Sequence, residues 1–186
     1  MSISIALVGA HSTGKSSLIS SLSDHLIAKG YEVTQIAELS RQCPYPINEA
    51  TSLQAQSWIQ KEQIALESQW KKTTILLSDR CALDNFAYMT LACPEDDLSE
   101  YQARAIKATK TYDFVFKTQL LPIPAEDDGV RSIDPTFRSA IDTTIFSLFV
   151  DHAVPFIALP YSYNYDTHVA FIWSHIRKHL YQDSNK

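Results

Sequence analysis

The chain has 186 residues, and its 45% share of hydrophobic residues is that of an ordinary globular protein, which excludes a disordered chain. Its formal net charge is −5, whereas proteins that bind duplex DNA or RNA usually carry a basic surface, so a duplex nucleic-acid partner is not expected. No apolar run approaches the roughly 20 residues that span a bilayer, and no signal-peptide pattern opens the sequence. We therefore expect one cytoplasmic domain over residues 1–186, with no membrane partner and with its oligomeric state open.

Short apolar runs alternate with amphipathic segments along the chain. In chain order, the predicted elements are a strand over Ile3–Val8, a helix over Lys15–Lys29, a strand over Glu32–Ala37, a helix over Leu53–Lys72, a strand over Thr74–Ser78, helices over Leu83–Ala92 and Leu98–Lys110, a strand over Asp113–Lys117, a helix over Pro135–His152, a strand over Pro155–Leu159 and a helix over Asp166–Tyr181. This alternation predicts an α/β fold in which a parallel sheet carries helices on both faces.

Several residues indicate where helices begin or end. Gly30 is expected to be the C′ glycine of the first helix, and Asp134 the N-cap of the fifth. Asp97 and Glu100 have the spacing of a capping box for the fourth helix. The polar stretch Arg41–Ser52 is predicted to be a loop.

The turn after the first strand carries the most specific motif of the sequence. Its residues, Gly9-Ala10-His11-Ser12-Thr13-Gly14-Lys15-Ser16, match G-x-x-x-x-G-K-[ST] at every fixed position. The glycines allow a turn whose N–H groups converge on phosphate oxygens, while Lys15 bridges the β- and γ-phosphates and the Ser16 hydroxyl binds Mg²⁺. The residues expected to contact the nucleotide are Gly9, His11, Ser12, Thr13, Gly14, Lys15, Ser16 and Ser17.

Charged residues also follow the third strand. Asp79 stands where P-loop proteins place a carboxylate that holds Mg²⁺, although it could be a turn residue at the end of the strand. Arg80 is either a clamp for a substrate or phosphate oxygen or a solvated cation at the start of a helix. Asp84 either orients substrate hydroxyls or caps that helix.

Glu38 and Arg41 follow the second strand. Ligands of open α/β sheets bind outside the carboxyl ends of the strands, so Glu38 is a candidate to accept the proton of an attacking hydroxyl. Arg41 is a candidate substrate ligand one helical turn further on. The alternative is a Glu–Arg pair on the surface.

The polar segment Pro122–Asp134 lies between the fourth strand and the fifth helix and is predicted to form a lid over the phosphates. Arg131 and Arg138 would then neutralise charge on the transferring phosphoryl group. The alternative is a mobile polar loop without a catalytic part.

Three tyrosines alternate after the fifth strand, at Tyr161, Tyr163 and Tyr165. Such alternation could present aromatic faces to a nucleobase, but ordinary packing explains it equally well.

Four segments together resemble the AAA-type P-loop domain of the ribosylnicotinamide kinase branch and related ATPases. They are Gly-Ala-His-Ser-Thr-Gly-Lys-Ser-Ser-Leu, Ala-Glu-Leu-Ser-Arg, Ser-Asp-Arg-Cys-Ala-Leu-Asp-Asn-Phe-Ala-Tyr and Asp-Asp-Gly-Val-Arg. The resemblance extends from Ile3 to about Leu159, and it implies a five-stranded parallel sheet of order 2-3-1-4-5 in a three-layer αβα sandwich. It further implies ATP and Mg²⁺ as cofactors, Glu38 as base or substrate ligand and Arg131 as the lid cation. One departure is His11, where that kinase domain commonly carries Glu.

We therefore predict a magnesium-dependent kinase that transfers the γ-phosphoryl group of ATP to a hydroxyl of a small, nucleoside-like acceptor. The alternative is a regulatory P-loop ATPase or nucleotide switch without such an acceptor. A GTPase is disfavoured because Lys117-Thr118-Gln119 does not supply the N-K-x-D base motif. A polynucleotide end kinase is disfavoured by the acidic balance of the chain.

Overall fold

The computed structural model describes residues 2–47, 51–70, 74–122 and 134–182. Within these ranges, in chain order, the elements are β1 (Ser4–Val8), α1 (Lys15–Ala28), β2 (Val33–Ile36), a 3₁₀ turn (Leu39–Gln42), α2 (Leu53–Gln69), β3 (Ile75–Asp79), α3 (Ala82–Ala92), α4 (Ser99–Thr109), β4 (Phe114–Lys117), α5 (Pro135–Asp151), β5 (Ile157–Ala158) and α6 (Tyr165–Gln182). No helix in the described ranges combines the length and the apolar character that a membrane crossing requires.

The five strands form a parallel sheet in the order β2-β3-β1-β4-β5, which confirms the predicted fold class. β1 is central and is buried on both faces, because its side chains alternate between two separate cores. Ile5 and Leu7 pack with α1 and α6 in one cluster, whereas Ala6 and Val8 pack with α3, α4 and α5 in the other. The result is the predicted three-layer αβα sandwich.

Strand register determines which residues meet at the carboxyl edge of the sheet. Leu7 pairs with Asp79 in β3, and Val8 pairs with Lys117 in β4, so both neighbouring strands end beside the start of the glycine-rich loop. This alignment brings the residues that follow β1, β3 and β4 into one site, as expected for an open parallel sheet.

Two of the predicted helix ends are confirmed. Gly30 has a φ of 86°, and the N–H groups of Gly30 and Tyr31 donate to the carbonyls of Ile27 and Leu26, which is a Schellman motif at the end of α1. The Asp134 carboxylate accepts a 2.8 Å hydrogen bond from the backbone N–H of Thr136 and caps α5, with Pro135 as its first helical residue.

Other local predictions need correction. α4 begins one residue later than expected, with Leu98 as an N-cap that has no side-chain cap bond, so the predicted capping box is wrong; Asp97 accepts a hydrogen bond from the Ser99 N–H instead. The loop predicted over Arg41–Ser52 begins inside a 3₁₀ turn, because the chain coils tightly as it leaves β2. The predicted lid lies almost entirely within residues 123–133, outside the described ranges.

Candidate functional site

The glycine-rich loop joins β1 to α1 at the carboxyl edge of the sheet, and both of its glycines are required by geometry. Gly9 has a φ of 138°, and a Cβ there would collide with Thr118 Oγ1. Gly14 has a φ of 78°, and a Cβ there would lie 2.6 Å from Tyr165 Oη. Ser12, with a φ of 54°, adopts the left-handed conformation without being a glycine. These turns form the compact loop that the sequence motif predicts.

Lys15 folds back over this loop. Its Nζ donates to the backbone carbonyls of Gly9 at 2.9 Å and of Ala10 at 2.6 Å. Burial, together with the positive charge of Arg80, lowers the pKa of Lys15 to about 8, against the opposite influence of nearby carboxylates. The carbonyl dipoles of Gly9 and Ala10 hold the ammonium group at the loop.

The hydroxyl of Ser16 donates a 2.6 Å hydrogen bond to Asp79 Oδ2, so α1 and β3 meet at this point. Asp79 is 3% exposed, and its second oxygen, Oδ1, is buried without a hydrogen-bond partner among the described residues. A buried, unpartnered carboxylate oxygen beside a hydroxyl is costly unless a cation or donor completes it. Because Mg²⁺ prefers oxygen ligands and is commonly held by one or two protein groups together with substrate phosphates, this pair suits the ion.

Glu38, Arg80 and Asp84 form a buried ionic network next to the loop. Arg80 Nε donates to Glu38 Oε1 at 3.0 Å, and Arg80 Nη1 donates to Asp84 Oδ1 at 2.6 Å and to the Gly9 carbonyl at 3.2 Å. Asp84 Oδ2 accepts a 2.7 Å hydrogen bond from the Gly9 N–H. The guanidinium carbon of Arg80 lies 4.7 Å from the ring centre of Tyr88.

This network corrects several alternatives that the sequence left open. Arg80 is only 4% exposed, so it is not a solvated cation at a helix start. Asp84 is fully buried inside α3 and does not cap that helix, whose N-cap is Cys81. Glu38 is 6% exposed, so its contact with Arg41, at 3.7 Å, is not a simple surface pair. Direct contacts of Glu38, Arg41, Arg80 and Asp84 with a substrate stay predictions.

The two predicted phosphate-facing arginines have different outcomes. Arg138, in the first turns of α5, reaches the loop: its Nε donates to the His11 carbonyl at 3.2 Å and its Nη2 to the Ser12 carbonyl at 2.9 Å. Its role toward a phosphoryl group stays a prediction. Arg131 lies outside the described residues, and its role also stays a prediction.

Two cavities flank the loop. The first, of about 440 Å³, runs along the phosphate-binding side, and its described lining includes three cations and no carboxylate; the cations are Lys15, Arg41 and Arg138. Ser12, Thr13, Gly14, Ser16 and Ser17 line the same cavity. Such a wall suits a polyanion.

The second cavity, of about 210 Å³, is bordered by Glu38 and by His11 of the loop and has a different chemistry. Its walls are largely apolar and aromatic, with Tyr88 from α3 and Phe137 from α5. Its charged lining residues are Glu38 and Arg80, which are paired with each other. This cavity therefore suits a small, largely uncharged molecule with a ring.

Sequence reasoning missed two contributors to the site. Thr118 follows β4, and its hydroxyl and that of Thr13 share a 2.8 Å hydrogen bond. The Thr118 side chain also packs against Gly9. Tyr88 accepts a 3.0 Å bond from the His11 N–H. The available signals were the position of Thr118 at a strand end and the spacing of Arg80, Asp84 and Tyr88, which places the last two on one face of α3.

The three tyrosines after β5 divide into two groups. Tyr163 and Tyr165 line the first cavity beside the loop, whereas Tyr161 is 62% exposed and is absent from the described lining of that cavity. Tyr163 and Tyr165 are also exposed, at 59% and 38%, and Tyr165 packs against Gly14, so the packing role and the contact with a nucleobase both stay predictions.

Comparison with known proteins agrees with this geometry. The family model described as an AAA domain matches residues 4–166 of the chain. A search of curated proteins found no match to the chain. Two solved structures of NadR protein, one in complex with NR and one in complex with NAD and AMP-PNP, superpose with TM-scores of 0.74 and 0.70. Each is 15% identical to this chain, and each alignment covers 94% of this chain. The same alignments cover 51% and 49% of the NadR chains, so this chain spans about half of their length.

At 15% identity the likeness to NadR is a likeness of fold, that of a P-loop NTPase. The family model covers the glycine-rich loop, the ends of all five strands and most of the site, so this match identifies the family as well as the fold. The chain therefore belongs to the AAA domain family and is a P-loop kinase or ATPase.

Proposed function

We propose that the chain is a small-molecule kinase that uses ATP and Mg²⁺ and transfers the γ-phosphoryl group to a hydroxyl of a nucleoside-like acceptor. The observation that carries this proposal is the pair of cavities on the two sides of the glycine-rich loop. A plain ATPase needs a place for nucleotide and water, which the first cavity already supplies. A second cavity with aromatic walls and a carboxylate is what a kinase needs for its acceptor.

The first cavity is the proposed ATP site. The glycine-rich loop and the positive end of the α1 dipole would bind phosphate oxygens, while Lys15 can leave its carbonyl partners for the β- and γ-phosphates. Arg138 and Arg41 add positive charge along the same wall. Tyr163 and Tyr165 offer aromatic faces to the base.

Ser16 and Asp79 are the residues that would hold Mg²⁺, and the unpartnered Asp79 Oδ1 is the observation that supports this assignment. The bound ion would neutralise charge on the phosphate oxygens and help to orient them.

Glu38 is the proposed general base of the second cavity. Its carboxylate accepts the proton of the acceptor hydroxyl as the hydroxyl oxygen forms a bond to the γ-phosphorus and the bond from that phosphorus to the bridging oxygen of ADP breaks. Tyr88 and Phe137, whose ring centres lie 6.5 Å apart, can hold a planar ring of the acceptor near Glu38. The NadR structures, in complex with NR or with NAD and AMP-PNP, support a small acceptor in a fold of this kind.

The proposal is tested by incubating the protein with Mg-ATP and separate pools of nucleosides, nucleotides and sugars. A kinase releases ADP in proportion to one pool and transfers a phosphoryl group to a member of it, which mass spectrometry detects. ADP release that is the same with every pool and without any acceptor contradicts the proposal and identifies a regulatory ATPase.

The role of Glu38 is tested separately. Because removal of a general base typically costs about 10²–10⁴-fold in rate, Glu38→Gln should lower acceptor-dependent turnover by that factor. Glu62→Gln, a change of a partly exposed glutamate in α2 that is not among the described lining residues of either cavity, is the matched control. An unchanged rate in Glu38→Gln would remove Glu38 from this role.

A further inference from the structure

The buried network joins the proposed acceptor cavity to the phosphate-binding loop through one continuous chain of contacts. The chain runs from Glu38 through Arg80 and Asp84 to Gly9, with bonds of 3.0, 2.6 and 2.7 Å. We call it the Glu38–Gly9 bridge. All three charged members are at most 6% exposed, so solvent screens their interactions little.

The bridge holds both polar groups of one peptide residue. The Gly9 N–H donates to Asp84, and the Gly9 carbonyl accepts from Arg80 and from Lys15. Gly9 is the first residue of the loop and has a φ of 138°, a conformation that the sheet alone does not impose. The bridge therefore defines the entry angle of the loop.

The Arg80 backbone supports this interpretation. Its φ is 82°, which is unfavourable for a residue with a side chain and persists only where the surroundings determine it. This conformation accompanies a side chain that reaches both Glu38 and Asp84, with the guanidinium over the Tyr88 ring. Tyr88 in turn accepts from the His11 N–H, a second attachment of the same wall to the loop.

We infer that Asp84 and Arg80 are positioning residues that give the loop its shape for nucleotide binding. Through them, a change in the contacts of Glu38 changes the shape of the loop. This inference rests on the proposed role of Glu38 at the acceptor. Asp84 itself has both oxygens engaged by Gly9 and Arg80 and is fully buried, so it acts through the loop. Charge-assisted bonds of this length are among the stronger hydrogen bonds in proteins, and their loss affects the loop directly.

The test is the affinity for Mg-AMP-PNP, measured by calorimetry without any acceptor. Asp84→Asn retains the shape of the side chain but replaces one acceptor oxygen by an NH₂ donor. That donor would face either the Arg80 guanidinium or the Gly9 N–H, both of which are donors, so one hydrogen bond is lost. We expect about a tenfold loss of affinity. The matched control is Asp113→Asn, because Asp113 Oδ2 also accepts a 2.7 Å bond from a β1-end N–H, that of Ser4, at the opposite edge of the sheet. Asp113→Asn should leave the affinity within twofold of the wild type.

A double-mutant cycle then examines the connection to Glu38. Glu38→Gln should also lower the affinity for Mg-AMP-PNP, although no acceptor is present, and its effect should not multiply with that of Asp84→Asn, because both act through Arg80. Independent effects, or an Asp84→Asn affinity within twofold of the wild type, would overturn the inference. Kinase activity is not used in this cycle, so a failed acceptor assignment is distinguishable from a failed bridge.

If Asp84→Asn does not fold, its affinity for Mg-AMP-PNP is not measurable, so a second measurement uses the wild-type protein. The amide proton of Gly9 should exchange slowly with solvent and resonate downfield, as expected for donation to a buried carboxylate. Fast exchange of this amide in the folded protein would contradict the inference directly.

Discussion

The Ser16 hydroxyl donates a 2.6 Å hydrogen bond to Asp79, and the second oxygen of that carboxylate is buried and has no partner in the part of the chain that the structure describes. The two residues are 63 positions apart in sequence, and they meet because the parallel pairing of β1 with β3 aligns the ends of these strands. The contact supplies one hydroxyl and one carboxylate at the place where the loop would present the terminal phosphates.

Asp79→Asn should weaken the binding of Mg-nucleotide selectively. Asn retains the size of the side chain and a hydrogen bond with Ser16, but it is neutral and a poorer ligand for Mg²⁺. Changes of residues that support a metal typically cost about 10–100-fold in metal affinity. We expect a loss in this range for AMP-PNP with Mg²⁺ and less than about threefold in EDTA, both by calorimetry. Equal losses in the two conditions would show that Asp79 shapes the loop instead.

Nucleotide affinity should depend on pH through Lys15. Burial, assisted by Arg80, lowers the pKa of Lys15 to about 8 in the free protein, and a bound triphosphate favours the ammonium form. Below pH 8 the free protein already carries this proton, so the affinity is constant there. As the pH rises above 8 the proton must be taken up on binding, and the affinity falls by up to about tenfold per pH unit.

Calorimetric titrations between pH 7 and 9.5, in two buffers of different ionisation enthalpy, measure both the affinity and the proton uptake. Proton uptake that is absent throughout this range would contradict the pKa of Lys15 given above. Lys15→Ala serves as the control, because it should abolish nucleotide binding at every pH.

The strength of local signals explains what the sequence predicted well. The glycine-rich loop was found because its residues are contiguous and each type has a steric or chemical reason, as the φ values of Gly9 and Gly14 confirm. The fold followed from alternating strands and helices. The short last strand, Ile157–Ala158, and the cap of α4 were less well predicted, because element ends depend on one or two residues.

Long-range pairing explains what the sequence could not give. The burial of Arg80 and its two carboxylate partners depends on β2, β3 and α3 meeting at one edge, and no local pattern records that. A charged residue at a helix start is ordinarily solvated, so the solvated-cation alternative for Arg80 followed a general tendency that tertiary structure reversed. Thr118 was missed for the same reason, because its contacts with Gly9 and Thr13 span more than a hundred residues.

Gly9→Ala should destabilise the protein more than Gly30→Ala, although both glycines have positive φ. At Gly30 a Cβ meets no atom of the described residues within 4 Å, so only the backbone cost of about 1–2 kcal/mol applies. At Gly9 the new Cβ also collides with Thr118 Oγ1. Urea unfolding measures both free energies, and the combination of Gly9→Ala with Thr118→Ala should recover part of the loss. Equal destabilisation by the two glycine changes would mean that Thr118 moves freely.

Tyr165→Ala should weaken nucleotide binding, whereas Tyr161→Ala should not. Tyr165 lines the cavity beside Gly14, and stacking of one base on an aromatic side chain contributes about 1–3 kcal/mol by alanine substitution, so the affinity for AMP-PNP should fall by about tenfold or more. Tyr161 precedes α6 by four residues but is 62% exposed and outside the described lining, which makes it a matched control for the loss of a surface tyrosine. Inorganic triphosphate distinguishes the base from the phosphates: its affinity should be unchanged by Tyr165→Ala. If the affinities for triphosphate and AMP-PNP fell by the same factor, Tyr165 would instead act by packing against the backbone of Gly14, where a Cβ would collide with its hydroxyl.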